Sequence, residues 1–140
     1  MKINELMLGD WVLDTEFERN EPDKIGIVED DGRVWLKNRN CYQSVTYCKP
    51  IPITPEILEK NGFKKKEEGE TYSEYISVWE EISIISFVFY KETICGVDTL
   101  LECELGFPGG LDRIHHCHIK YVHQLQHALR MCGIEKEITP

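Results

Sequence analysis

The chain has 140 residues, of which 41% are hydrophobic, and carries a formal net charge of −9. That length suits one domain or two small units sharing a core, and the apolar content excludes wholesale disorder. No apolar run reaches the roughly 18 residues of a membrane span, residues 1–6 lack the apolar stretch of a signal peptide, and the acidic total disfavours indiscriminate attraction to phosphates.

A cytoplasmic protein without membrane contact is therefore the expectation. Six cysteines (Cys41, Cys48, Cys95, Cys103, Cys117 and Cys132) contain no Cys-x-x-Cys pair, which points to free thiols acting as small apolar residues. The charge is unevenly spread. Residues 1–31 hold ten acids against three bases, whereas residues 33–66 hold eight bases against two acids. A local basic face is compatible with the acidic whole.

In chain order, Gly9-Asp10-Trp11-Val12-Leu13-Asp14 reads as a turn feeding a strand, and residues 15–23 read as a charged, exposed loop ending near Pro22. Residues 24–29 and 33–37 read as strands joined through Asp30-Asp31-Gly32, where Gly tolerates positive φ. Residues 41–47 add a β-prone run. Four or five short strands with tight turns predict a small antiparallel barrel-like unit over residues 1–53, SH3-like or a rolled sheet.

Pro50, Pro52 and Pro55 then mark an extended joint. A short helix follows, with Thr54 as N-cap, Pro55 in the first turn, and Asn61-Gly62 as its stop. Lys64-Lys65-Lys66-Glu67-Glu68-Gly69-Glu70 reads as a charged turn. Residues 72–79, the doubly apolar 82–90 and the alternating 97–105 read as strands, Phe107-Pro108-Gly109-Gly110 as a turn, and 111–117 as a last short strand.

The chain closes with the clearest pattern of all. At about 100° per residue, Val122, Leu125, Leu129 and Cys132 form one stripe, edged by Tyr121 and Ala128, while Lys120, His123, His127 and Arg130 fall opposite. Gly133 suits the left-handed position beyond the helix end. The fold class expected is α+β, with residues 54–140 forming a short helix and an antiparallel sheet covered by this C-terminal helix.

Three segments resemble a known family in their spacing. They are Met1-Lys2-Ile3-Asn4-Glu5-Leu6 with Gly9-Asp10-Trp11-Val12; Pro50-Ile51-Pro52-Ile53-Thr54-Pro55-Glu56-Ile57-Leu58 with Gly62-Phe63; and Ile119-Lys120-Tyr121-Val122-His123-Gln124-Leu125-Gln126. The family is one of small uncharacterised bacterial proteins of similar length, associated with phage-like or mobile elements. The resemblance implies relatives but no reaction, and those relatives continue with Asn where this chain has His127.

All five histidines lie between positions 115 and 127. His116 and His118 share a strand face, and His123 and His127 stand at i and i+4 on the helix, a spacing that lets two imidazoles reach one ion. His116, His118, His123 and His127 are thus the candidate metal ligands, with zinc the metal they suit. A His-Glu-x-x-His protease site is excluded, because Gln124 stands where the glutamate base is needed. Cys117 and His116 are adjacent on a strand and point to opposite faces, so they do not make a nucleophile pair.

Arg33, Trp35, Lys37 and Arg39 form a basic-aromatic stretch of the kind that small barrels use to stack bases, and they are the candidate nucleic-acid contacts. No Gly-rich phosphate loop is present. With no catalytic constellation passing both residue type and spacing, the expectation is a non-enzymatic accessory protein that meets a protein partner, with no cofactor. A metal-binding module or metal-dependent enzyme, and a nucleic-acid binder, are the alternatives. Oligomeric state leaves no mark in the sequence.

Overall fold

The computed structural model describes residues 2–68, 72–77, 84–91, 98–106, 115–117, 119–131 and 133–140. The fold is α+β. Residues 1–52 and 121–140 form one unit and residues 53–120 another.

The first unit is built on a five-stranded antiparallel sheet. Its strands are β1 (Trp11–Asp14), β2 (Glu21–Val28), β3 (Arg33–Leu36), β4 (Cys41–Ser44) and β5 (Cys48–Pro50), in the order β4-β3-β2-β1-β5. It remains open, with β4 and β5 as edges, where a barrel-like closure was expected. Alternation sets the faces: Val34 and Leu36 turn inward while Arg33 and Trp35 turn out. Leu6, Val12, Ile25, Val34, Leu36 and Cys48 make the core, with Ile3, Val28 and Val45 packed against it.

β2 serves two partners in succession. Residues 21–24 pair with β1 and residues 25–28 with β3, and the register shifts between Ile25 and Ile27. Gly26 lies at that shift because a Cβ there would stand 3.0 Å from both Trp35 Cδ1 and Lys37 Cγ. The predicted turn holds, with Gly32 at φ +85°. β5 lies in the stretch read as a proline connector. Pro50 is tolerated because it sits opposite Val12 on an edge strand, where its missing N–H disrupts no ladder.

In the second unit, α1 (Pro55–Lys60) starts as expected, with the Thr54 hydroxyl accepting the Ile57 N–H and Pro55 in the first turn. A second antiparallel sheet follows, with strands β6 (Phe63–Glu68), β7 (Tyr72–Ser77), β8 (Ile84–Lys91), β9 (Asp98–Gly106) and β10 (His115–Cys117) in the order β10-β9-β8-β7-β6. Residues 64–68, expected as part of a charged turn, belong to β6 instead. Pairing with β7 overrides their poor strand propensity, and a run of Lys and Glu is what keeps an edge strand such as β6 from pairing further. The turn expected at positions 107–110 lies outside the described residues.

The chain re-joins the first unit beside the point where it left. Pro52 bridges Tyr121 antiparallel, and the Val122 N–H donates to the Ile51 carbonyl at 2.9 Å. The final helix, α2 (Val122–Met131), therefore counts with the N-terminal sheet and not, as expected, with residues 54–120. Gly133, at φ +73°, reverses the chain, and the Ile134 N–H returns to the Leu129 carbonyl. The tail then runs back along α2. The Gln126 amide donates to the Lys136 carbonyl at 2.8 Å and accepts from the Ile138 N–H at 2.7 Å, while Ile134 and Ile138 are buried.

The β1–β2 connection, read as an exposed loop, contains a 3-10 turn at Glu16–Glu18 in which Phe17 takes φ 57° and ψ 33°. Glu18 and Asn20 are also left-handed, at φ 61° and 50°. For a bulky residue this conformation is strained by about 1 kcal/mol. Replacing Phe17 by Gly removes that strain, and with the ring 76% exposed it removes little packing. Phe17→Gly should leave the protein as stable as wild type or up to about 1 kcal/mol more so, checked by urea denaturation; a clear loss of stability would show that the ring holds the loop.

Candidate functional site

The histidines distribute unequally. His116 lies in β10 opposite Glu104, in the second unit, and His118 lies outside the described residues. His123 and His127 come together on α2, ring centroids 5.8 Å apart and edge to face. The expected solvent-facing side of the helix is only partly exposed. His123 retains 4% of its accessibility, stacks on Tyr121 at 5.9 Å with planes 8° apart, and has a buried Nδ1 with no hydrogen-bond partner. Burial lowers its pKa, opposed by the nearby Asp10 carboxylate and assisted by His127.

The carboxylate behind this pair was missed in the sequence. Asp10 is 0% exposed. Its oxygens stand 2.9 and 2.8 Å from His127 Nε2, and Oδ2 accepts the Met7 N–H at 2.7 Å. Arg130, one turn further along α2, places Nη1 3.7 Å from Asp10 Oδ1. Gly9 sits against the same guanidinium: at φ +86°, a Cβ there would lie 3.1 Å from Arg130 Nη2. The signal was only a Gly-Asp pair before a strand, which reads as turn chemistry. Among the described residues no cluster of three His, Cys, Asp or Glu side chains suits a metal ion. Asp10 has no exposed surface with which to meet a substrate; what it does is tie the start of β1 to α2.

The basic-aromatic stretch divides in two. Arg39 turns to acceptors within the fold, donating through Nη1 to Asp14 at 2.8 Å, Glu16 at 2.7 Å and Gln43 at 2.8 Å. Asp14 is buried, which pushes its pKa up, but the Gln43 amide, the Glu16 N–H and Arg39 outweigh that and hold it below its ordinary value. Asp23, also buried, accepts the backbone N–H groups of Lys24, Asn38 and Arg39. Asp14, Arg19, Glu21, Pro22, Asp23, Asn38 and Arg39 line a cavity of about 390 Å³.

Arg33, Trp35 and Lys37 belong to the outer face. Trp35 meets Tyr42 edge-on at 4.9 Å, Arg33 lies 5.4 Å over the Tyr42 ring and pairs with Asp31, and the Lys37 stem lies along Gly26. Ile27 stands opposite Trp35 in the ladder. Leu6, Met7, Leu8, Gly26, Ile27 and Val28 line an adjoining apolar cavity of about 590 Å³, and Met7, Leu8, Ile27 and Tyr42 are exposed. Scattered along the sequence, these residues gave no signal as a group.

Cys48 is buried and its thiol is pushed up to about 11, by burial first and by Asp14 second, so it is not a nucleophile at neutral pH. Among the described residues, no helix is long and apolar enough to cross a membrane. No protein family, curated protein or solved structure matches the chain.

Two outcomes test this arrangement. Asp10→Ala should cost about 3 kcal/mol in denaturant unfolding, since it strands the Met7 N–H and removes the partner of His127, whereas Asp10→Asn, which keeps an acceptor for Met7, should cost about 1 kcal/mol. Equal losses would mean that the acceptor for Met7 is irrelevant and that the lost charge accounts for the whole effect. For His123, the folded pKa lies below the unfolded value of about 6.5, so the unfolded chain binds the extra proton. Its contribution is complete above pH 6.5 and declines as the pH falls through the folded value. His123→Phe should flatten that acid-side decline in melting temperature, and an unchanged slope would assign it to other groups.

Proposed function

We propose that this is a non-enzymatic interaction protein, an accessory component of a phage-like element, whose N-terminal unit meets a protein partner through the apolar surface around Ile27. The observation that carries this reading is the grouping of exposed Met7, Leu8 and Ile27 around one apolar cavity, with exposed Tyr42 held against Trp35 on the strand next to Ile27. Exposed apolar side chains scattered singly are ordinary; gathered against a rigid sheet face they are the usual mark of a binding site. Trp35 and Tyr42 already hold each other edge to face, so little side-chain freedom would be lost on contact. The strand order, with β5 returning beside β1 after a 3-10 turn at Val45–Tyr47, supports an SH3-like reading of this rolled sheet.

Nucleic-acid binding through Arg33, Trp35, Lys37 and Arg39 is the weaker alternative, because Arg39 already donates to three acceptors of the fold. Metal binding by the helical pair is weaker for a similar reason: His127 Nε2 faces Asp10 and His123 Nδ1 is enclosed. The deciding experiment compares wild type with Ile27→Asp as baits in the native cell, both having the same far-ultraviolet circular dichroism and melting temperature. A protein held by wild type and lost from Ile27→Asp supports the proposal. Identical partners on both baits, or none on either, removes it.

A further inference from the structure

The N-terminal sheet ends on β4, and the free edge of that strand is built differently from those of β5 and β6. The Val45 N–H donates to the Gly32 carbonyl in register with the β3–β4 ladder. In an antiparallel pair the bonding residues alternate, so Cys41 and Gln43 bond to β3 while the N–H and C=O groups of Tyr42 and Ser44 point outward. Among the described residues no other backbone group bonds them. Proteins close exposed edges with charge, proline or bulges, because an unpaired row of donors and acceptors recruits another strand. β5, at the opposite edge, carries Lys49 and Pro50, and β6 in the second sheet carries Lys64, Lys65, Lys66, Glu67 and Glu68. β4 reads Cys41-Tyr42-Gln43-Ser44, with no charge, no proline and an unbroken register against β3.

Outward-pointing backbone groups of this kind fit another strand, and the edge is complementary to its own copy. Turned antiparallel about a two-fold axis at Gln43, two copies of β4 bring Tyr42 of one opposite Ser44 of the other, and these are the residues whose groups point outward. Each Tyr42 ring, 43% exposed, then lies beside a small Ser44 and does not meet its own counterpart. Charge favours the same orientation. Arg33 stands opposite Ser44 and pairs with Asp31, so the β2–β3 turn, with Glu29, Asp30 and Asp31, makes the Ser44 end of the edge acidic. Lys37, exposed and just beyond the Leu36–Cys41 pair, makes the other end basic. Antiparallel pairing sets the basic end of one copy beside the acidic end of the other, whereas parallel pairing would set like ends together.

We infer that this protein self-associates as a two-fold dimer through antiparallel pairing of β4, which joins two five-stranded sheets into one continuous sheet. Tyr42 and Ser44 of each copy exchange both of their backbone hydrogen bonds with Ser44 and Tyr42 of the other. The strand is short, Cys41–Ser44 on each side, so the dimer is weak and its population follows concentration. Ile27 stands on β2, two strands in from this edge, and takes no part in the pairing. Self-association at β4 therefore stands whether or not the Ile27 surface binds a partner.

Sedimentation velocity over a range of concentrations tests the dimer, with Ser44→Pro as the decisive variant. Ser44 has φ −67°, which proline adopts freely, and its N–H faces the edge and not β3, so the substitution removes an edge donor without cutting the ladder. It also removes the hydroxyl that accepts the Thr46 N–H, and Ser44→Ala makes that loss alone. Wild type and Ser44→Ala should shift towards twice the monomer mass as concentration rises, whereas Ser44→Pro should weaken association by about tenfold or more. Ile27→Asp should dimerise as wild type does. In wild type, amide exchange at Tyr42 and Ser44 should slow as concentration rises, while the Gln43 N–H, already bonded to β3, keeps its rate; this readout needs no variant. A chain monomeric at every concentration, association equal in Ser44→Pro and wild type, or equal losses in Ser44→Ala and Ser44→Pro overturns the inference. Loss of the dimer in Ile27→Asp, or exchange at Tyr42 and Ser44 indifferent to concentration, overturns it as well.

Discussion

The first unit depends on one buried carboxylate. Asp10 has no contact with water, and an isolated charge in such a place costs several kcal/mol unless each of its oxygens finds donors. Those donors come from two distant parts of the chain: the Met7 N–H just before it, and His127 with Arg130 more than a hundred positions later. The N-terminal turn and the last helix are thereby fixed to each other by a requirement of charge and not only by apolar fit. Gly9 permits the close approach, since any side chain there would meet the Arg130 guanidinium and strain the backbone.

The uneven charge along the sequence has an internal explanation of the same kind. The acidic first third and the basic stretch after it look like two surfaces awaiting two ligands. Part of that charge is spent within the fold instead. Arg39 from the basic run answers Asp14 and Glu16 from the acidic run, and Asp23 gathers the backbone N–H of Lys24 beside it and those of Asn38 and Arg39 in the β3–β4 connection. Outside this cluster, Lys24 of β2 pairs with Glu137 of the tail, which the Trp11 indole also reaches.

Much of the architecture was legible because it follows local rules. The amphipathic stripe of α2, the Thr54 cap and the glycine of the β2–β3 turn each rest on neighbours a few residues away. What escaped was governed by pairing at long range. β5 was hidden by a proline that only an edge position excuses, and β6 by lysines that only an edge position favours. The site was less legible than the fold. Periodicity placed His123 with the polar residues of its helix, and only the aromatic stack on Tyr121 and the carboxylate behind His127 explain why it is enclosed. Exposure of Met7, Leu8 and Ile27 could not be read at all, since an apolar residue in a strand-rich sequence is assigned to the interior by default.

The side-by-side segments at Pro52 and Tyr121 make residues 53–120 an insertion within the first unit. A ribosome therefore delivers the N-terminal sheet long before its helix. During that interval Asp10 has neither His127 nor Arg130 to face, and its carboxylate must stay hydrated. The sheet cannot close around it until the whole intervening unit has emerged, so the emerging chain should complete its second unit before its first.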